Sequence, residues 1–257
     1  MRPVTVAAVQ VAPSPEPLTS ASIADNTLRA VALIRRCFEA TGAELIVLPE
    51  SVTTGFTPGV DLAQLWELMS DLPGPLVDPF TEVAAELGIH LVLGTYRRGS
   101  APTVVHNAAV VIGGTGTLLG TYHKTHPFGG ERVDRGGWVT PGDDVLVVET
   151  PLGRIGVIIC FDGDYPELSR ITAIQGAELI CRPSALLRSA DLWELTNRAR
   201  AYDNHVYVVG ANATGADPGV SEAIAVSGSS RAETQHSWLA ARATTSAIGV
   251  TIIELPK

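Results

Sequence analysis

Residues 153–167 read Gly153-Arg154-Ile155-Gly156-Val157-Ile158-Ile159-Cys160-Phe161-Asp162-Gly163-Asp164-Tyr165-Pro166-Glu167. The apolar run up to Ile159 has the composition of a strand covered on both faces. It ends on a cysteine, a turn-forming Asp162-Gly163-Asp164 follows, and Pro166 suits the first position of a helix. Strand, tight turn and helix make the βα unit of an α/β protein. A reactive side chain at that turn lies where such sheets collect ligands, beyond the carboxyl end of a strand.

Working outward, the same alternation recurs on both sides. Toward the C-terminus we read a helix over Pro166–Gln175, a strand over Glu178–Cys181, a helix over Asp191–Asn204 and a strand over Val206–Ala211. Before it, Val145–Glu149 and Arg154–Cys160 form an apolar pair around Pro151-Leu152-Gly153. A Gly-rich loop spans Phe128–Gly142. Upstream of that loop, His106–Ile112 and Thr117–Tyr122 read as a hairpin joined by Gly113-Gly114-Thr115-Gly116. At the N-terminus, Val4–Val11 is a buried strand leading into a loop with Pro13, Pro15 and Pro17. The spacing of Ile23, Leu28, Val31, Ile34 and Phe38 predicts a helix over Ser20–Ala40, stopped by Thr41-Gly42. Strands at Glu44–Leu48 and Ile89–Thr95 flank a helix at Asp78–Leu87. From Ala213 to Ser230 no period is sustained, and two late edge strands are expected at Trp238–Ala243 and Ile248–Glu254. The fold class is α/β, with helices covering mixed sheets. No linker divides the chain, so one domain over 1–257 is expected, atypical from about residue 215.

Composition narrows the function classes. With 257 residues, 46% hydrophobic and 18% charged, the chain can bury a full core. A net charge of -9 without a basic stripe argues against a nucleic-acid partner. No apolar run is long enough to span a membrane, and Met1-Arg2-Pro3-Val4 shows no leader-like segment. Cys37, Cys160 and Cys181 are an odd set in a chain of this size and read as reduced thiols, which points to a cytoplasmic protein.

Three strand ends carry reactive groups: Glu50 after Glu44–Leu48, Lys124 after Thr117–Tyr122, and Cys160. Cys160 reads as an exposed nucleophile in a strand-turn-helix elbow, with the backbone N–H of Phe161 able to bind a developing oxyanion. Glu50 can take the thiol proton, and Lys124 can stabilise thiolate and oxyanion. Taken singly, each has a plainer explanation: an inert buried thiol, a solvated loop glutamate, a surface lysine.

Together the segments Leu48-Pro49-Glu50, Tyr122-His123-Lys124 and Gly156–Glu167 resemble the carbon–nitrogen hydrolase (nitrilase-like) superfamily, and they stand in its order. Gly55-Phe56, Thr140-Pro141-Gly142-Asp143, Arg198-Ala199-Arg200-Ala201, Asn204 and Val206-Tyr207-Val208-Val209 with Asn212 add to the likeness over residues 4–215. The resemblance implies an αββα sandwich that pairs with a second subunit. It implies Cys160 as nucleophile, Glu50 as general base and Lys124 as stabiliser of the tetrahedral intermediate. Glu131, in Phe128-Gly129-Gly130-Glu131-Arg132, matches a further glutamate that positions Lys124 or the departing amine. The residues after Cys160 are more like those of amidases than of nitrilases. Hydrolysis of a small linear amide through a cysteine thioester therefore leads, with N-carbamoyl amides and nitriles as alternatives on the same residues and no cofactor or metal required. Tyr165, Trp138, Phe56 and Trp193 are candidates to line the pocket. Gly228–His236 departs from the family pattern by carrying charges where an apolar strand is usual.

Other readings weighed on the same residues are a Cys-His hydrolase using His106, His126 or His205, a metal site from His123 and His126, and a binding protein that keeps the fold without the reaction.

Overall fold

In the computed structural model, which describes residues 4–11, 18–185, 190–213, 238–240 and 248–249, side chains alternate by face along the strands of two sheets. The first sheet is built on β1 (Val6–Val9), β2 (Leu45–Val47), β3 (His90–Arg98), β4 (Val105–Ile112), β5 (Leu118–His123) and β11 (Ile248–Gly249), in the order β11-β1-β2-β3-β4-β5. Its β1, β2 and β3 run parallel, whereas β4, β5 and β11 pair antiparallel with their neighbours. The second sheet has the order β10-β9-β8-β7-β6, from β6 (Leu146–Thr150), β7 (Gly153–Val157), β8 (Leu179–Ser184), β9 (Tyr207–Asn212) and β10 (Trp238–Ala240). Only β6 pairs antiparallel there. Both late strands lie at sheet edges, as the sequence reading expects. The charged stretch Gly228–His236 lies outside the described residues.

The period-2 pattern of the strands produces the layers. Val6, Ala8, Leu45, Val47, Val92, Ala109 and Val111 face inward and share one core with Ile155, Val157, Leu179, Cys181, Val209 and Ala211 of the other sheet. The opposite face, Ala7, Val9, Ile46, Leu91, Leu93, Val110 and Ile112, packs on helices α1 (Ser20–Thr41) and α3 (Asp78–Leu87) through Ala30, Ile34, Cys37, Phe80 and Val83. On the far side, Ile180, Val206 and Val208 pack on α4 (Pro166–Ile174) and α5 (Ala190–Asn204) through Leu168 and Ala201. The result is a helix–sheet–sheet–helix sandwich.

Helix α1 starts where Thr19 caps it, its Oγ1 accepting from the Ser22 N–H at 3.1 Å. It ends at Gly42, whose φ of 63° admits the left-handed cap. A short helix over Leu62–Leu68, α2, was not expected; it begins on an Asp61 cap.

One feature of β5 makes stability depend on pH. His123 stacks on His106 with ring centroids 4.4 Å apart, and its Nε2 lies 3.1 Å from the Arg97 guanidinium. Burial, the His106 ring and Arg97 together lower its pKa from 6.5 to about 4. Between those values the unfolded chain binds a proton that the folded one refuses, so this contribution is complete above pH 6.5 and is lost as pH falls toward 4. Because the ring is partly exposed, we expect His123→Gln to gain about 1–2 kcal/mol on wild type between neutral and acidic pH. Urea denaturation of both proteins across that range checks it, and a constant difference would reject it.

Candidate active site

Glu50 lies just past β2, beside the middle of β3. Gly94 of β3 leaves the room: a Cβ there would lie 2.5 Å from the Glu50 Cα and 2.9 Å from the Pro49 carbonyl oxygen. With no side chain in the way, the Gly94 N–H donates to Pro49 O at 3.0 Å and the glutamate turns inward. It is 1% exposed. Its Oε1 accepts from Asn107 Nδ2 at 2.7 Å and from Lys124 Nζ at 2.8 Å, and its Oε2 from the Ala185 N–H at 2.8 Å. β2, β4, β5 and the end of β8 thus converge on one carboxylate.

Lys124 follows β5 two residues after Tyr122, hence on the same face. It is fully buried and bridges two acids, with Glu131 Oε1 at 2.6 Å on its other side. The loop holds Glu131 in turn, the Phe128 N–H donating to the same oxygen at 2.9 Å. Tyr122 donates to Asp162 Oδ2 at 2.8 Å, and that oxygen also accepts the Ile159 N–H at 2.8 Å. The tyrosine and the aspartate of the two sequence motifs therefore tie the lysine strand to the cysteine turn.

Two expectations about Cys160 are corrected. β7 ends at Val157, and Cys160 begins a 3-10 turn over Cys160–Asp164. Its φ of 44° is incompatible with a strand and is the sharp backbone turn that an elbow requires. Nor is the residue exposed: it is 5% accessible, enclosed by the sheets' shared core on one side and the polar site on the other.

Burial and the neighbouring Glu50 push the Cys160 thiol well up, against Lys124, Arg182 and the Ala185 N–H, which favour the thiolate. At rest the Cys160 side chain is a thiol, and forming its thiolate calls for a base. Burial alone would lower the Lys124 pKa, but Glu50 and Glu131 outweigh it, and the ammonium is held charged. Burial raises Glu131 to about 7, Lys124 opposing and Glu50 reinforcing the shift.

Of the candidate lining residues, Phe56 sits with its ring 5.7 Å from Lys124 Nζ and edge-on to Trp138 at 6.0 Å. Trp138 Nε1 donates to the Tyr96 hydroxyl, which donates to Phe56 O, fixing this wall. Tyr165 is 37% exposed, stacked on His126 at 3.9 Å and edge-on to Phe161. Trp193 is placed elsewhere: it is fully buried against the Arg182 guanidinium, 4.8 Å from its ring, behind the cysteine turn. The charged groups acting on the Cys160 sulfur are Glu50, Lys124 and Arg182. His106 is turned to Thr140 O and His123, and His126 to Thr125 and Tyr165. Among the described residues no cluster of three potential metal ligands occurs, and no helix is long and apolar enough to cross a membrane. Asn107 and Arg182 were not anticipated. The signal for both was available: a polar residue beginning an apolar β-run, and an arginine closing one.

The model of the family described as carbon-nitrogen hydrolase matches residues 5–256, nearly the whole chain. The chain belongs to this family. A carbon–nitrogen hydrolase acts on carbon–nitrogen bonds other than peptide bonds, and this chain is such an enzyme. Similar carbon–nitrogen hydrolases include the human omega-amidase NIT2, 34% identical over 198 residues that cover 73% of this chain and 68% of the relative. A probable nitrilase of Schizosaccharomyces pombe is 29% identical over 82% of this chain and 75% of its own length. Among solved structures, Nit3 of Saccharomyces cerevisiae, a nitrilase-superfamily member, superposes with a TM-score of 0.70 at 25% identity, covering 83% of this chain and 76% of that one. An amidase from Nesterenkonia sp. gives 0.73 at 24% identity over 85% and 79%.

Proposed function

We propose that this carbon–nitrogen hydrolase cleaves a small linear amide to carboxylate and ammonia or amine, with Cys160 as nucleophile, Glu50 as general base and Lys124 as electrostatic stabiliser. The observation that carries the reading is Lys124 bridging Glu50 and Glu131 in a buried site beside a cysteine at positive φ. Glu50 takes the thiol proton as sulfur attacks the amide carbon, and the oxyanion forms beside the Lys124 ammonium and the Phe161 N–H. Glu50 returns the proton to the departing nitrogen, leaving a thioester. The same carboxylate then activates a water, whose attack releases the acid and restores the thiol. Glu131 positions Lys124, and its second oxygen, buried without a hydrogen-bond partner among the described residues, is the acceptor we assign to the departing amine. Relatives named omega-amidases and an amidase neighbour captured with an acetamide group on its active-site cysteine support the amide class. Further parts of this reading are one domain over the whole chain, a cytoplasmic location, a homo-oligomer, and Phe56, Trp138 and Tyr165 as pocket walls.

The decisive experiment is ammonia release from short aliphatic amides, ω-amides, N-carbamoyl amino acids and nitriles, with wild type beside Cys160→Ala. We expect release from an amide class that vanishes in the variant. Release confined to N-carbamoyl compounds or nitriles would reassign the substrate, and release that survives in Cys160→Ala would remove the thioester.

A further inference from the structure

Arg182 closes the apolar run of β8 and is fully buried. Burying a cation carries a desolvation cost that an apolar side chain of like volume avoids, so its hydrogen bonds must account for its presence. Nε and Nη2 both donate to the Cys160 carbonyl oxygen, at 2.8 and 2.5 Å. Nη1 donates to Thr196 Oγ1 at 3.0 Å and Asn197 Oδ1 at 2.9 Å, both on α5, and Asp164 lies 3.5 Å away. Trp193 covers the guanidinium face. The fork is thus fixed by α5 and aimed at one atom, the carbonyl of the nucleophile.

Gly163 makes the same point from the other side. Its φ is not in the left-handed region that would by itself call for glycine. A Cβ there would lie 2.1 Å from Arg182 Cζ, so glycine is required by the guanidinium that occupies the space. A second arginine, Arg200, donates to the carbonyls of Gly163 and Asp164 at 3.0 and 3.3 Å. Two buried or half-buried arginines thus hold the carbonyls of Cys160, Gly163 and Asp164.

We propose that Arg182 is the positioning residue of the nucleophile turn. By anchoring the Cys160 carbonyl it fixes the peptide plane whose opposite edge carries the Phe161 N–H, and so aims and polarises that donor toward the oxyanion. The geometry follows from the trans peptide, in which C=O and N–H point in opposite directions, and a charged donor on the carbonyl strengthens the N–H beyond it. The anchor also holds Cys160 at its unfavourable φ. This rests on the reading of Cys160 as nucleophile. The proposal adds a group that touches neither substrate nor sulfur yet sets the geometry of both.

The test is Arg182→Met and Arg182→Lys, assayed on the best amide, with alkylation of Cys160 by iodoacetamide followed against pH. Losing one oxyanion donor costs about 10²–10³ in kcat; we expect a loss of that order in Arg182→Met. KM should change by less than about threefold, since ground-state binding is untouched. The alkylation midpoint should move up as a cation near the sulfur disappears. Arg182→Lys, which keeps the charge and a donor, should recover part of kcat and most of the midpoint. Gly163→Ala should impair kcat when Arg182 is present and add little to Arg182→Ala, because both disturb one contact. A folded Arg182→Met with wild-type kcat and midpoint overturns the proposal, as does Arg182→Lys performing no better than Met. If Arg182→Met fails to fold, Gly163→Ala decides, full kcat overturning the proposal. Activity that survives Cys160→Ala would instead defeat the thioester reading, a failure distinct from an inactive Cys160→Ala beside a fully active Arg182→Met.

Discussion

Glu50→Gln lowers kcat/KM for amide hydrolysis by about 10³–10⁴-fold, the upper part of the range for a general base. The substitution keeps the shape of the side chain and leaves an amide oxygen that can still accept from Asn107 or Lys124. What it removes is, among the described residues, the carboxylate that acts electrostatically on the Cys160 sulfur, and with it the acceptor for a thiol proton that burial holds in place. Both half-reactions use that acceptor, so the variant should show neither a burst of ammonia nor slow turnover of an accumulated thioester. Stopped-flow ammonia release together with mass spectrometry of the protein checks this. A cysteine activated by histidine would keep most of its activity in Glu50→Gln, and that result would return His106, His126 or His205 to consideration.

Lys124→Met destabilises the protein by about 3–5 kcal/mol near neutral pH, the usual cost of stripping one partner from a buried ionic cluster. Glu50 and Glu131 lie on either side of the ammonium at 2.8 and 2.6 Å, and all three side chains are inaccessible. Glu131 is already raised to about 7 by burial and by Glu50, and without the cation that opposes this shift its folded pKa rises further above the unfolded one. Stability contributed by such groups is complete below the unfolded pKa and is lost as pH rises through the folded one. The deficit of the variant should therefore narrow toward pH 5 and widen toward pH 8. Urea denaturation at both values measures it. A deficit independent of pH would mean that the lysine stem's packing, and not its charge, holds the site together.

The layers were legible in the sequence because burial imposes a period. A strand such as Glu44–Leu48 that reads apolar throughout can only sit between two covered faces, which gives helices over mixed sheets; the αββα order comes from the family resemblance. The approximate positions of Glu50, Lys124 and Cys160 were legible too, as groups just beyond strands. What periodicity does not encode is where a strand stops for lack of backbone freedom: Ile158 and Ile159 continue the apolar pattern, yet the strand has already ended before Cys160 takes a positive φ. Helix α2, Leu62–Leu68, was missed because its seven residues bury only Leu65 fully and give the pattern too little length. The burial of Lys124 was invisible for a different reason. A lysine is ordinarily exposed, and what overrides that tendency is a pair of acids 74 and 7 positions away in the chain, which only the fold brings together. Trp193 shows the converse error: an aromatic residue near the site was read as pocket wall, whereas a cation in the core had claimed its face.

The acid–lysine–acid arrangement also bears on how readily product leaves. An amide arrives neutral, so it can approach the paired charges without adding to them. Hydrolysis turns it into an anion within reach of Glu50, in a compartment with little water to screen the encounter, where like charges repel far more strongly than at a surface. The Lys124 ammonium, shared with Glu50 and Glu131, offsets part of that repulsion and leaves the rest acting on the product. On the proposed mechanism the site therefore favours the neutral amide group over the carboxylate it becomes, and that difference helps each turnover clear its product.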